Sequence, residues 1–293
     1  DEFYSLCGAL CAPEASNNPF RYKFSWSPKG VVMASNNNAT FLKNNKVIDI
    51  ETANLFKNPL KIDFPEIEEM EVYPNRNSLP YIDIYKIPEV KTMYRGTFRY
   101  KGWCNALDLL KNLNLTIYNV LPVKGKSLPQ IVAEINDFEI DNLKNEIKNK
   151  FNIDDSHLGL KAIEWLGIFD PTNIFSQDKS SAFDIISDLM IDKMMMNKSE
   201  RDMVIMQHIF NISNKNGKKE TIISKMIDYG NDKYTSIAKT VALPAAIAVK
   251  LILEGTVKGN GVQIPIEKSV YVPILNLLKK EGVFMNETRE LHI

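Results

Sequence analysis

The sequence predicts an α/β domain built on a mixed α+β sheet and interrupted by a mainly helical insertion at residues 115–200. Three observations carry this. Runs with period-two or hairpin patterning occur towards both ends, at residues 20–26, 36–50, 91–100 and 203–229. Runs with apolar residues at helical spacing lie between and after them, at residues 103–113, 158–166, 182–196, 234–254 and 272–281. Strand pairs alternating with helices, without internal repeats or a low-complexity linker, describe one mixed unit.

Taken in order, residues 1–30 open with a short strand or loop. Phe20, Tyr22, Phe24 and Trp26 then alternate with Arg21, Lys23 and Ser25, the period of a half-buried strand. Ser27-Pro28 offers an N-cap and an N1 proline, so a helix is expected to start there. Asn44-Asn45 between two apolar runs reads as a hairpin turn. Glu66, Glu68, Glu69 and Glu71 cluster without a histidine and read as a solvated face. Residues 91–100 read as a strand in which Gly96 marks a bulge or a close approach of backbone or ligand. After Gly102 comes an amphipathic helix at 103–113, then the helical insertion, whose run of three methionines at 194–196 reads as core filler. Residues 203–212 and 220–229 flank a polar turn at 214–219 as a hairpin. Of the two closing helices, the first carries Ala242, Ala245, Ala246 and Ala248, small enough to let another element approach closely.

Basic and acidic residues balance at 36 each, so no global field favours nucleic acid or an anionic membrane. No apolar run approaches the roughly 20 residues of a membrane span; the longest, at 241–253, is interrupted by Pro244 and Lys250. Three cysteines, an odd number without a framework, argue against disulfides and for a reducing, intracellular setting. Cys7 and Cys11 have no second Cys/His pair to complete a metal site, and no metal is expected. With histidines only at 157, 208 and 292 and no G-x-S-x-G elbow, Ser/His/Asp catalysis has no support. No G-x-G-x-x-G or Walker motif follows a strand. His208, mid-strand among apolar residues, reads as a core or sheet-surface histidine.

The stretch 72–100 concentrates the remaining chemistry, with three arginines and five tyrosines in 29 residues. Arg76 and Arg95 lie at turn punctuation, in Pro-Asn-Arg-Asn-Ser and Arg-Gly-Thr. A guanidinium fork grips a carboxylate through two parallel charge-assisted hydrogen bonds, as a lysine cannot. From these residues alone two readings stand, exposed loop arginines or the clamp of a small anionic ligand.

Separated segments add a further indication: Cys7-Gly8 through Ala12-Pro13-Glu14, Tyr22-Lys-Phe-Ser-Trp-Ser-Pro28, Tyr73-Pro-Asn-Arg76-Asn-Ser78, Arg95-Gly-Thr97 with Arg99-Tyr100, Glu164-Trp-Leu-Gly167, Arg201-Asp-Met-Val204 and Leu243-Pro-Ala-Ala246. Together they resemble the glutamate-forming saccharopine dehydrogenases, including that half of the bifunctional aminoadipic semialdehyde synthases. The resemblance implies a saccharopine-binding catalytic domain at 1–230. Helices at 231–293 would pack back onto an N-terminal Rossmann domain that precedes this chain, so their apolar faces are expected to be exposed. It implies an oxidoreductase of lysine metabolism that uses NAD or NADP, bound mainly upstream, to convert saccharopine to glutamate and 2-aminoadipate 6-semialdehyde. Arg76 and Arg95 would clamp carboxylates with Gly96 and Thr97 beside them, Trp26 would wall the pocket and Cys7 would line it. Ala9 and Cys11 depart from the family pattern in that loop. Arg99 is either a third anion contact or a salt-bridged structural residue. The catalytic acid/base stays unassigned, the chain alone is expected to be inactive, and a homodimer or higher oligomer is implied, in cytoplasm or mitochondrion. A non-catalytic anion- or partner-binding module, or an oxidoreductase of this fold with another substrate, is the alternative.

Overall fold

The computed structural model describes residues 1–214 and 216–292. The chain enters on strand β1 (Glu2–Cys11) and continues through helix α1 (Pro28–Ala34) and strands β2 (Ala39–Lys43), β3 (Lys46–Ile50), β4 (Leu60–Phe64) and β5 (Glu68–Pro74). Helix α2 (Pro80–Ile84), strand β6 (Thr92–Arg99) and helix α3 (Trp103–Asn112) follow. The insertion holds β7 (Val120–Pro122), α4 (Leu128–Asn136), α5 (Leu143–Phe151), α6 (Leu158–Leu166), β8 (Lys179–Ser181) and α7 (Ala182–Met194). The long hairpin β9 (Asp202–Ser213) and β10 (Lys219–Tyr229) leads to α8 (Ser236–Leu253), α9 (Lys268–Lys280) and β11 (Asn286–His292).

Nine strands form one mixed sheet in the order β11-β10-β9-β1-β6-β2-β3, with β5 also on β6 and β4 beyond it. β1 is central, parallel to β6 on one side and antiparallel to β9 on the other. One face carries Leu6, Leu10, Val72, Phe98, Met203 and Ile205 into the main core. On the other face Val204 and Met226 pack with Ile247 and Leu251 of α8 and Ile274 and Leu278 of α9 in a separate cluster.

The local signals act as physics requires. Asn44 and Asn45 both take positive φ, 50° and 62°, as a two-residue hairpin needs. Pro28 opens α1 behind Ser27, and Gly102 at φ 109° lets the chain reverse from β6 into α3. The insertion is mainly helical, with one small pair of strands, β7 and β8. The hairpin at β9 and β10 forms along eleven residue pairs; Lys215 in its turn lies outside the described residues.

Three expectations need correction. Phe20 to Trp26 is not a strand. It is an irregular segment, turning at Phe20 and bending at Ser25 and Trp26, with a single bridge, Phe24 to Met195, because β6 and β9 already occupy both edges of β1. Phe20 and Tyr22 instead wedge against Trp103, and Lys23 is buried as well, paired with Glu200. The methionine run is only partly core, since Met194 is buried and Met195 exposed. Pro244 and Lys250 do not interrupt α8, which by length and composition alone is apolar enough to cross a membrane. Ile247 and Leu251 bury one side of it, while Val241, Val249, Ile252 and Leu253 are exposed.

Candidate functional site

The parallel pairing of β1 with β6 sets Ser5 beside Arg95, Leu6 beside Gly96 and Cys7 beside Thr97. Since successive strand residues point to opposite faces, Cys7, Arg95, Thr97 and Arg99 share one face, and Leu6, Gly96 and Phe98 the other. Cys7 is exposed although its strand is the middle one of the sheet. The sheet is therefore open to solvent at that point. Gly96 does not line this opening. A Cβ on it would come 2.4 Å from Val72 Cγ1 and 3.1 Å from Leu6 Cδ2, so its missing side chain serves the close-packed core.

The six arginines of the chain divide evenly. Arg21 meets Glu68 in a two-pronged bond of 2.6 and 2.7 Å, Arg201 meets Glu14 at 2.7 Å and Arg289 meets Glu220 at 3.5 Å. Arg76, Arg95 and Arg99 have no carboxylate partner among the described residues. Arg95 stacks its guanidinium 4.3 Å over the Tyr81 ring, and its amide donates to Ser78 Oγ at 3.1 Å. Arg76, at φ 52°, turns the chain out of β5. Thr40 N donates to its carbonyl at 2.9 Å, the Asn75 amide donates to the Arg95 carbonyl at 2.8 Å, and the Arg76 side chain is exposed.

Arg99 is the anomaly. It is 5% exposed, lies 5.0 Å over Tyr22, 5.2 Å over Trp103 and 5.8 Å from Tyr73, and donates Nη1 to the Phe98 carbonyl at 2.8 Å. Its Nε is buried without an acceptor among the described residues. The salt-bridged alternative for Arg99 is not what the structure adopts. Glu71 sits opposite it across β5 and β6, but spends its carboxylate on the Cys104 amide at the start of α3, at 3.3 Å. A buried guanidinium facing aromatic rings instead of an anion is costly, and its Nη2 is neither sealed nor bonded.

Trp26, 42% exposed, donates its indole N–H to the Tyr22 hydroxyl at 3.3 Å, which ties it to the ring beneath Arg99. The Cys7 thiol is accessible yet crowded by protein on its other sides, as on the floor of a cleft. That burial pushes the thiol up from its ordinary value, against the opposing pull of the Arg99 and Arg95 guanidiniums. Cys7, Arg95 and Thr97 thus lie on one face, Trp26 is reached through Tyr22, and Arg76 lies on the adjoining loop. Sequence reasoning passed over Tyr22 and Tyr73 and left Arg99 undecided. The alternation Arg95, Thr97, Arg99 within one strand was a readable signal that all three share a face. Chemically, guanidiniums without carboxylate partners can take an anion.

Comparison with known proteins gives a consistent picture. A family model described as the saccharopine dehydrogenase C-terminal domain matches residues 1–283. Saccharopine dehydrogenase [NADP(+), L-glutamate-forming] of Schizosaccharomyces pombe is 33% identical over 297 residues, 97% of this chain and 66% of the relative. Mitochondrial alpha-aminoadipic semialdehyde synthase of Mus musculus is 35% identical over 297 residues, 98% of this chain and 32% of the relative. The solved apo structure of the L-Glu-forming saccharopine dehydrogenase of Saccharomyces cerevisiae superposes with a TM-score of 0.88 at 32% identity, covering 99% of this chain and 67% of that one. The chain therefore spans about two thirds of the yeast relatives and about a third of the mouse relative.

Proposed function

This chain belongs to the saccharopine dehydrogenase C-terminal domain family, and from that premise we propose that it is the substrate-gripping portion of an NAD(P)-dependent oxidoreductase that converts saccharopine to glutamate and 2-aminoadipate 6-semialdehyde. One observation carries the reading. Three arginines without carboxylate partners surround an uncovered stretch of the central strands, and saccharopine has three carboxylates to offer them. Arg99, inside its aromatic cage, makes the deepest contact. Arg95, braced on Tyr81, makes the second, with the Thr97 hydroxyl on the same face, and Arg76 closes from the loop. Tyr22, Tyr73 and Trp103 shield most of the Arg99 guanidinium from water, so each charge-assisted bond there is worth more than on the surface.

The nicotinamide cofactor does not fit the residues present. The strand-to-helix turn from β6 to α3 holds a single glycine, and the Glu71 carboxylate occupies the amide end of α3 where a phosphate would sit. We assign the dinucleotide to the part of the relatives that lies outside this chain. The names of the fungal relatives specify NADP(+), and that of the mouse relative specifies mitochondria. Calorimetric titration tests the reading: saccharopine binds this chain saturably, and affinity falls as salt rises because the contacts are charged. Absence of heat or saturation at millimolar saccharopine would sink it.

A further inference from the structure

We propose that Tyr22 is a positioning residue that fixes Trp26 and Arg99 in one arrangement. The inference rests on the reading of the cleft as a carboxylate site and adds a residue to it. Tyr22 is 1% exposed and is itself held at its backbone. Asn18 Nδ2 donates to the Tyr22 carbonyl at 2.8 Å, and the Tyr22 amide donates to Asn18 Oδ1 at 3.4 Å. Its ring packs 4.7 Å from Trp103 and edge-on to Phe24 at 5.6 Å. One face of that fixed ring lies 5.0 Å beneath the Arg99 guanidinium, and its hydroxyl accepts from Trp26 Nε1. Trp26 lies outside any strand or helix and is half open to solvent. The Tyr22 hydroxyl therefore supplies what regular structure does not, a fixed orientation for the indole. The same side chain thus sets the carboxylate fork and the wall of the cleft at a constant separation.

The test is a double-mutant cycle on saccharopine affinity in this chain, with iodide quenching of tryptophan emission as the structural readout. Tyr22→Phe keeps the ring under Arg99 and deletes only the acceptor. Trp26→Phe deletes the donor together with part of the wall, so its loss is at least as large as that of Tyr22→Phe. Each weakens saccharopine about three- to tenfold, the loss of one hydrogen bond, and the double variant is no weaker than the worse single. Tyr22→Phe also makes one tryptophan more accessible to iodide while leaving the thermal midpoint near wild type. Losses that multiply, or quenching that does not change, overturn the proposal. Should Tyr22→Phe fail to fold, Trp26→Phe still decides, since wild-type binding by that variant overturns the proposal too. A wild-type chain that binds no saccharopine removes the site reading itself. Wild-type binding with both single variants unchanged removes only the role of Tyr22.

Discussion

Alternate residues of the same two strands build the two faces of the β1–β6 pair, and the faces are filled by different criteria. On the covered face Leu6, Gly8, Gly96 and Phe98 are chosen by volume. A Cβ at Gly8 would stand 2.7 Å from Phe98 Cβ, and one at Gly96 2.4 Å from Val72 Cγ1. On the uncovered face Cys7, Arg95, Thr97 and Arg99 are chosen by charge and hydrogen-bonding capacity, and Arg99 is left buried without a counter-ion. One step along the chain separates a position where a methyl group is too much from one where an anion is lacking. Natural sequences satisfy their buried polar groups nearly everywhere, so a buried guanidinium without a counter-ion is the feature of this face that most needs an account.

Two substitutions break this comparison from opposite sides. Arg99→Met removes the buried charge and keeps the volume. Saccharopine affinity should fall by about 3 kcal/mol, roughly a hundredfold, as a buried charge-assisted contact is lost. Thermal stability should hold or rise, because replacing an unpaired buried ion with an apolar chain removes a desolvation penalty. Calorimetry and a melting curve read both, and a large drop in melting temperature would instead make Arg99 a structural residue. Gly96→Ala should do the reverse. The added methyl overpacks the core against Val72 and costs about 1–3 kcal/mol of stability in denaturant unfolding, while folded protein binds saccharopine within about twofold of wild type. A binding loss larger than that would place Gly96 in the cleft after all. Arg76→Lys should have the smallest effect of the three. Its side chain is exposed on a turn, so exchanging fork for ammonium should weaken saccharopine only about three- to fivefold, and an unchanged affinity would remove Arg76 from the site.

The covered face was the more legible of the two, and the reasons are physical. Asn44-Asn45, Ser27-Pro28 and the stripe at 103–113 announce themselves because each satisfies a local rule of dihedral angle, cap or period. The strand at residues 20–26 was misread because Phe20, Tyr22 and Phe24 are buried by contacts with Trp103 and with each other. Alternation cannot distinguish that from pairing. β1 is read from the sequence only as a strand or loop, since its outer residues include Ser5, Cys7 and Ala9, which give a partly exposed face with no apolar alternation. β11 was missed because every residue in it is exposed, leaving no hydrophobic pattern to find. The arginines of the site were named from their turns, but whether each had a partner was not readable. Glu68 stands 47 residues from Arg21 and Glu14 stands 187 from Arg201, so the pairings that excuse three arginines, and the lack that singles out the other three, exist only in the folded chain.

The three cysteines carry the comparison to a reactivity measurement. Cys7 lies on the uncovered face and is accessible, whereas Cys11 and Cys104 are buried. Burial pushes the Cys11 thiol up to about 11 and the Cys104 thiol well above its ordinary value. Alkylation requires the thiolate, so iodoacetamide should modify Cys7 in the folded chain and leave the other two until the protein unfolds. The Cys7 thiol is itself raised by burial more than Arg99 and Arg95 lower it. At pH 8 a smaller fraction is therefore ionised than in a free cysteine, and labelling should be slower than for the free amino acid and climb as pH passes its ordinary value. Saccharopine in the cleft should slow it further, by covering the thiol and by cancelling the guanidinium charge that favours the thiolate. Peptide mapping after labelling across a pH series reads all three. Modification of Cys11 ahead of Cys7 would mean that the sheet is not open over the central strand, and a Cys7 rate already level below pH 8 would mean that the two guanidiniums outweigh burial at that thiol.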